Sequence, residues 1–233
     1  MGFVLLEGGG EFKAGMAAAD ERAMAVCGGR AQPVRIVPAA AAPDDNHGRA
    51  AANGVSWFQS LGAADVRAVD IIDRASADRP DLAKEIERAR LVFVLGGFTR
   101  YLAETLSESL AWQAMVSAHR AGAVIAGSSA GAMVLCEHYF DPASGTTLRG
   151  LNLVPGACVL PHHNRFGKTW AAKLALLLPG IVLIGIDEAT GLLDDGPGGR
   201  WSVYGKGAVT LYRRGGQTAY HHGQNFDLPG SRD

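Results

Sequence analysis

Short apolar runs alternate with helix-forming segments through the first half of the chain. The runs of strand length lie at residues 3–6, 33–40, 64–72, 91–97 and 121–127. Helices are predicted between them at 11–26, 48–62, 76–90 (capped by Ser76 or Asp78), 99–106 and 108–120. The run at 91–97 is apolar without alternation, which indicates a strand covered on both faces. This order of elements predicts an α/β fold with a doubly wound, mostly parallel sheet.

The pattern changes after residue 150. Strand-like segments at 157–164, 180–190, 200–213 and 218–223 follow one another, with one predicted helix near 170–178. We expect a C-terminal β meander packed on the same core. No linker, repeat or low-complexity tract interrupts the chain, so residues 1–233 are predicted to form one domain, with 228–233 frayed.

Composition excludes several classes of function. The 22 basic and 23 acidic residues give a net charge of −1 without a basic block, so no nucleic-acid partner is expected. Three cysteines without CxxC spacing (Cys27, Cys136 and Cys158) indicate neither a disulfide framework nor a zinc site, and we expect no metal or cofactor. No apolar stretch is long enough to cross a membrane. The N-terminal segment is typical of a first strand rather than a signal peptide, so a cytoplasmic location is expected.

Candidate chemistry appears where predicted strands end, which is where open parallel sheets bind ligands. The first place is the segment GSSAG at 127–131, which fits the G-x-S-x-G elbow between a strand and a helix. Such an elbow strains the Ser129 backbone and exposes its hydroxyl at a helix N-terminus, where the free N–H groups favour negative charge. The alternative is an ordinary turn in which Ser128 or Ser129 caps the helix.

Two further strand ends carry a base and an acid. His162 and His163 follow the strand ACVL, and only one of two adjacent side chains on an extended segment faces a given pocket. Asp187 and Glu188 follow the strand IVLIGI, where a carboxylate can orient an imidazole. Taken singly, these are exposed loop histidines and turn-capping acids. Together with the serine, they favour a catalytic triad, because a serine hydroxyl needs a nearby base.

A glycine pair at 96–97 supplies the remaining part of such a site. The N–H groups of Gly97 and Ala130 are the predicted donors of an oxyanion hole. The alternative for Gly96 and Gly97 is a simple turn between a strand and a helix.

The ordered motifs LLEGGGE, LGG, GSSAGA, GLNLVPG…PHHNRFG and IGIDEATGLL resemble the peptidase E and cyanophycinase family of serine peptidases, over residues 2–212. The resemblance implies a flavodoxin-like fold of the class I glutamine amidotransferase type. It also implies that Ser129 is the nucleophile, His162 the general base and Glu188 the acid. Dipeptidase-type members take the acid from shortly after the nucleophile, and Asp141 would be that residue here, ranked below Glu188.

The activity that the resemblance implies is that of a serine exopeptidase acting on short peptides: a dipeptidase, a carboxypeptidase or a cyanophycinase-like enzyme. The order serine, histidine, acid disfavours an α/β-hydrolase, in which the acid precedes the histidine. Arg100, Arg165 and Lys168 are candidates to bind a charged part of the substrate. The expected partner is a short peptide, with no nucleic acid and no membrane, and a homodimer is allowed.

Three alternatives remain at this point. A glutamine amidohydrolase would need a thiol nucleophile, and Cys136 lies about two helical turns beyond the elbow. A nucleotide-binding loop would use Gly8, Gly9 and Gly10, although neither phosphate-binding glycine motif is complete there. A catalytically silent binding or scaffold protein is the third.

Overall fold

The computed structural model describes residues 1–214 and 216–228. In these ranges the strands are β1 Phe3–Glu7, β2 Pro33–Val37, β3 Asp65–Ala68, β4 Leu91–Val94, β5 Val124–Ser128, β6 His138–Asp141, β7 Thr146–Arg149, β8 Ala157–Leu160, β9 Val182–Ile186, β10 Thr190–Leu193, β11 Trp201–Gly205, β12 Ala208–Arg213, β13 Gly216–His221 and β14 Asn225–Phe226. The α-helices are α1 Ala17–Val26, α2 His47–Ser60, α3 Arg74–Ala77, α4 Pro80–Glu87, α5 Thr99–Leu106, α6 Leu110–Arg120, α7 Ala130–Leu135 and α8 Ala171–Leu177. Short 3₁₀ turns lie at Ala39–Ala41, Gly167–Trp170 and Pro197–Gly199.

The main sheet has the strand order β14-β11-β10-β1-β5-β4-β2-β3. The five strands from β1 to β3 in this order are parallel, and the other three continue the sheet in antiparallel fashion. The predicted doubly wound, mostly parallel sheet is therefore confirmed. Its parallel part has the flavodoxin-like order, with the N-terminal strand β1 in the place of the last strand.

Helices cover both faces of this sheet. Along β4, Leu91 and Phe93 pack in the cluster that contains α1 and α2, while Val92 and Val94 pack in the larger cluster with α4 to α7. Phe58 of α2 lies edge-on to Phe93, with ring centroids 5.5 Å apart. The uninterrupted apolar sequence of β4 thus follows from its burial on both sides, as predicted.

The C-terminal strands are divided between two sheets rather than forming one meander. Strands β13-β12-β9-β8 form a second sheet, and β10, β11 and β14 join the main one. The predicted strand at 180–190 breaks at Ala189, whose φ of 56° turns the chain from one sheet into the other. The predicted strand at 200–213 likewise breaks after Gly205, whose φ is 116°. Apolar periodicity does not show that the chain changes sheet at these points, because the segments on both sides of each break are strand-like.

Several helix boundaries also differ from the predicted ones. Helix α1 begins at Ala17, six residues later than expected, because the chain turns at Phe12 with a φ of 61°. Neither Ser76 nor Asp78 caps a helix N-terminus: Asp73 caps α3 and accepts a hydrogen bond from the Ser76 N–H, while α4 starts separately at Pro80. The hairpin β6–β7 was not predicted.

The structure tests the predicted fraying of the chain end at Leu228 only, and it does not test the prediction of one domain. Leu228, predicted to be frayed, is 4% exposed and packs in the larger cluster, which also contains Val4. Residues 229–233 lie outside the described residues. One domain over residues 1–233 stays a prediction.

Candidate active site

Ser129 occupies a strained bend between β5 and α7. Its φ and ψ are 50° and −110°, a conformation that costs a non-glycine residue about 1–3 kcal/mol. The bend needs small neighbours: a Cβ on Gly127 would lie 2.5 Å from the Gly131 carbonyl carbon, and one on Gly131 would lie 2.3 Å from the Val94 oxygen. The Ser129 N–H donates to the Glu7 carbonyl at 3.0 Å, which helps to hold the bend.

Neither serine hydroxyl of this bend caps the helix. Ser129 is at the N-cap position, but its side chain makes no capping hydrogen bond. The Ser128 hydroxyl donates instead to Glu11 Oε2 at 3.0 Å. The alternative of an ordinary capped turn therefore does not describe this segment.

His162 lies against Ser129. The distance from Ser129 Oγ to His162 Nε2 is 3.0 Å. The His162 backbone has a φ of 47°, and its N–H donates to the Gly8 carbonyl at 2.7 Å. A Cβ on Gly9 would lie 2.3 Å from the His162 ring, so the glycines that follow β1 leave the space this ring occupies.

Glu188 holds the other side of the His162 ring. His162 Nδ1 lies 2.8 Å from Glu188 Oε1. The second carboxylate oxygen pairs with Arg165 Nε at 2.9 Å, and the Glu188 N–H donates to the Asn164 side chain at 3.1 Å. A carboxylate in this position fixes the imidazole ring and stabilises its positive charge.

His163 points to the opposite side of the chain. Its Nδ1 lies 3.3 Å from Asp187 Oδ1, and its Nε2 lies 2.8 Å from the Tyr212 hydroxyl. A Cβ on Gly185 would overlap the His163 ring, at 2.3 Å from Cδ2. The adjacent pairs His162–Glu188 and His163–Asp187 therefore lie on opposite faces, and only the first contacts Ser129.

The turn at Gly96 and the first residue of α7, Ala130, lie next to Ser129. A Cβ on Gly96 would lie 3.1 Å from Ser129 Cβ, so the turn at 96–97 runs beside the serine. Gly97 has a φ of 143°, and a Cβ there would lie 2.2 Å from the Ala40 oxygen. Ala130 is the first residue of α7, and the first N–H groups of a helix have no partner within it.

A cavity of about 1040 Å³ opens in front of these residues. Its walls come from the loop after β1, the length of α2 with the segment before it, and the turn after β4. Both His162 and Glu188 border it. Sequence reasoning missed the charged residues that line it, namely Glu11, Lys13, Asp44 and Arg49. The sequence pattern does not identify these charged residues as part of a site, because residues 11–16 are predicted as helix and no site is predicted near α2.

The predicted substrate-binding residues are not in the cavity wall. Arg100 pairs with Glu104 at 2.8 Å and lines a separate cleft with Asp141. Lys168 lines a cleft beside the second sheet together with Tyr212. Arg165 pairs with Glu188, and its side chain is not part of the cavity wall.

The lower-ranked acid and the thiol alternative are also placed away from Ser129. Asp141 caps its own turn, where it accepts hydrogen bonds from the Ala143 N–H at 3.1 Å and the Ser144 hydroxyl at 2.7 Å. Cys136 is fully buried, and burial raises the pKa of its thiol well above the usual range. Neither residue has the geometry of its alternative role.

The glycine loop does not lead into a helix. Gly8, Gly9 and Gly10 are followed by a non-helical segment, and α1 begins only at Ala17. A phosphate loop needs its amides at a helix N-terminus. The loop therefore lacks the structural context of a nucleotide site.

Two buried carboxyl groups lie behind the cavity. Glu7 and Asp20 are 0% and 1% exposed. Burial raises the pKa of Glu7 well above its usual range, with the neighbouring Asp20 and Glu11 adding to the effect. Burial also raises the pKa of Asp20 to about 7, although Trp57 Nε1–H donates to its Oδ2 at 2.8 Å. Both carboxyl groups therefore keep a proton to a higher pH than an exposed carboxyl group does.

Within residues 1–214 and 216–228, no three histidine, cysteine, aspartate or glutamate side chains converge as metal ligands. In the same ranges, no helix has the length and apolar character needed to cross a bilayer.

Known proteins match most of this chain in sequence. The model of peptidase family S51 matches residues 4–198. Cyanophycinase from Trichormus variabilis is 32% identical over 168 residues, which is 66% of this chain and 55% of that protein. Cyanophycinase from Geminocystis herdmanii is 28% identical over 186 residues, 73% of this chain and 66% of that protein. The chain thus spans about half to two thirds of the length of these curated relatives.

Solved structures share the fold. A crystal structure of a peptidase from an acI-B1 Actinobacterium superimposes with a TM-score of 0.88 at 28% identity, covering 98% of this chain and 97% of that one. A putative peptidase E protein from Listeria monocytogenes EGD-e has a TM-score of 0.59 at 16% identity, covering 95% and 98%. The family resemblance predicted from the motifs is confirmed.

Proposed function

Because the chain belongs to peptidase family S51, we propose that it is a serine exopeptidase that hydrolyses short peptides through Ser129, His162 and Glu188. The observation that carries the proposal is one continuous line of contacts. It runs from Ser129 Oγ to His162 Nε2 at 3.0 Å, and from His162 Nδ1 to Glu188 Oε1 at 2.8 Å. This line lies at the edge of an open cavity.

In the first half of the reaction, Ser129 Oγ attacks the scissile carbonyl carbon while His162 Nε2 takes the hydroxyl proton. Glu188 accepts the hydrogen bond from Nδ1–H and stabilises the imidazolium that forms. The N–H groups of Gly97 and Ala130 bind the oxyanion of the tetrahedral intermediate. A single donor of this kind contributes roughly 10²–10³ to kcat.

In the second half, the protonated His162 gives its proton to the leaving amine, and the C–N bond breaks. The product is an ester between the acyl part of the peptide and Ser129. A water molecule then loses a proton to His162, attacks the ester, and releases the second product with Ser129 reprotonated.

The size of the cavity supports a short substrate. Small-ligand sites enclose roughly 300–1,000 Å³, and this cavity is at the upper end with about 1040 Å³. Dipeptidase, carboxypeptidase and cyanophycinase-like specificity are all compatible with that volume. The two curated relatives named above are cyanophycinases, so cyanophycin belongs among the substrates to be tried.

A substrate panel tests the proposal. Aspartyl dipeptides, peptides blocked at either end and cyanophycin are incubated with the wild-type protein and with Ser129→Ala. We expect hydrolysis of at least one short substrate, and a loss of roughly 10³-fold or more in kcat for the variant. Cleavage confined to long, doubly blocked peptides would contradict exopeptidase action. Equal hydrolysis by Ser129→Ala would contradict the role of the serine.

Two further expectations belong with this proposal. A reducing, cytoplasmic location is supported by Cys27, Cys136 and Cys158, which are all buried free thiols. A monomer or homodimer of one peptidase domain is to be measured by light scattering.

A further inference from the structure

Glu11 is a cavity carboxylate that the protein orients but does not neutralise. The Ser128 hydroxyl fixes its Oε2 at 3.0 Å. Among the residues that the structure describes, Glu11 has no arginine or lysine within ion-pair distance. Glu188, the other carboxylate at this end of the cavity, is paired with both Arg165 and His162.

The second oxygen of Glu11 lies on the same side of Gly96 as Ser129. A Cβ built on Gly96 would lie 3.5 Å from Glu11 Oε1 and 3.1 Å from Ser129 Cβ. The carboxylate oxygen and the serine therefore flank the same small volume above the glycine. The atoms next to a substrate carbonyl bound at Ser129 would therefore lie close to this oxygen.

The surroundings of Glu11 favour a positive charge. Asp20 and Glu7 lie behind it, and the Glu11 charge contributes to raising the pKa of both. Phe12 and Trp57 line the same cavity and offer aromatic faces, which attract ammonium and guanidinium groups. A partly buried carboxylate without a counter-ion is costly, so a ligand that supplies the cation gains from pairing with it.

The two basic residues of the cavity are engaged or placed elsewhere. Arg49 Nε donates to Asn46 Oδ1 at 2.8 Å at the start of α2. Lys13 is exposed, and it lines the cavity beyond Glu11 in the same loop. They do not neutralise Glu11, and they leave its charge available to a substrate.

We propose that Glu11 is a specificity-determining residue that binds a positively charged nitrogen of the substrate next to the scissile bond. The inference rests on the peptidase function proposed above. The nitrogen is either the free α-ammonium of the peptide or the side chain of a lysine or arginine residue. Both have the same chemistry toward a carboxylate, and matched substrates distinguish them.

The test compares substrates that differ only in charge. One pair has a free or an acetylated N-terminus, and the other has lysine or norleucine beside the cleaved bond. For the wild-type protein, we expect kcat/KM to be at least tenfold higher for the charged member of one pair. The pair that shows the preference identifies the source of the nitrogen.

The variant Glu11→Gln keeps the shape and can still accept the Ser128 hydrogen bond. It should raise KM for the charged substrate about tenfold with kcat changed less, and leave the neutral substrate within twofold. Glu85→Gln, an exposed residue on α4, changes the net charge equally and should show neither effect. If Glu11→Gln does not fold, the wild-type comparison decides, and a preference below twofold overturns the proposal.

Labelling of Ser129 by a fluorophosphonate separates the two proposals. If wild type and Glu11→Gln are both labelled and the charge preference is the same in both, only the role of Glu11 fails. If the folded wild type is not labelled at Ser129, the peptidase proposal itself fails.

Discussion

Asp20→Asn tests the buried carboxyl pair behind the active-site cavity. In the folded protein, burial raises the pKa of Asp20 to about 7, whereas its ordinary value is 3.8. Between these two values the folded state keeps a proton that the unfolded chain has lost. Stability is therefore greatest below pH 3.8 as far as this group is concerned, falls as pH rises, and levels off above pH 7.

The size of the effect follows from the shift. Each pKa unit corresponds to 1.36 kcal/mol, so the whole shift is worth about 4 kcal/mol, of which about 3 kcal/mol falls between pH 5 and pH 8. Asparagine removes this titration. Its amide oxygen can still accept the Trp57 N–H. From pH 5 to pH 8, the free energy of unfolding should therefore fall by about 3 kcal/mol more in the wild type than in the variant.

Urea unfolding followed by tryptophan fluorescence, at pH 5 and at pH 8, measures the difference. Asp70→Asn, which removes an exposed carboxylate, is the control and should follow the wild type at both pH values. The m-values of all three proteins should agree, so that changes in midpoint report stability. If the stability of Asp20→Asn falls with rising pH as much as that of the wild type, then a raised pKa of Asp20 is not the cause of the loss.

Two other substitutions probe how the site is held. Gly9→Ala places a Cβ 2.3 Å from the His162 ring, so peptidase activity should fall by tenfold or more. An active variant with unchanged Ser129 labelling would contradict the assigned contact. Arg165→Gln removes an ion pair whose arginine side chain is 69% exposed, so the free energy of unfolding in urea should change by less than about 1 kcal/mol. The value of kcat should fall severalfold. An unchanged kcat would show that Arg165 does not orient Glu188, and a stability loss of several kcal/mol would contradict the small contribution expected of an exposed ion pair.

The parallel sheet is predictable from the alternation of strands and helices, and the elbow from a local packing requirement. The small residues of 127–131 are needed where a strand and a helix cross almost in contact, and that need is visible in five letters. Helix α5 likewise agrees residue for residue with its prediction. The division of the C-terminal strands between two sheets depends on backbone turns at Ala189 and Gly205, which apolar periodicity does not reveal.

The choice between His162 and His163 illustrates what a pattern leaves open. Alternation shows that only one of the two faces a pocket, but not which one. The family resemblance selected His162, and the contacts with Ser129 and Glu188 support that choice. The catalytic roles of these residues stay a prediction.

The charged residues that line the cavity could not be predicted from the sequence, for a different reason. Arg100 and Lys168 are close in sequence to the motifs, yet their side chains extend from faces that turn away from Ser129. Glu11 meets Ser128 across 117 positions of sequence, because the loop after β1 folds over the elbow. Contacts of this range arise from tertiary packing and have no local signature.

In the proposed mechanism His162 activates the Ser129 hydroxyl, and the rate of fluorophosphonate labelling measures this activation most directly. In the labelling step the Ser129 oxygen bonds to phosphorus, fluoride leaves, and His162 takes the hydroxyl proton. We predict a single adduct on the peptide that contains Ser129, formed at least 100-fold more slowly in His162→Gln and at an unchanged rate in the matched variant His221→Gln. Absence of an adduct from the folded wild-type protein, or equal rates in wild type and His162→Gln, would contradict the account.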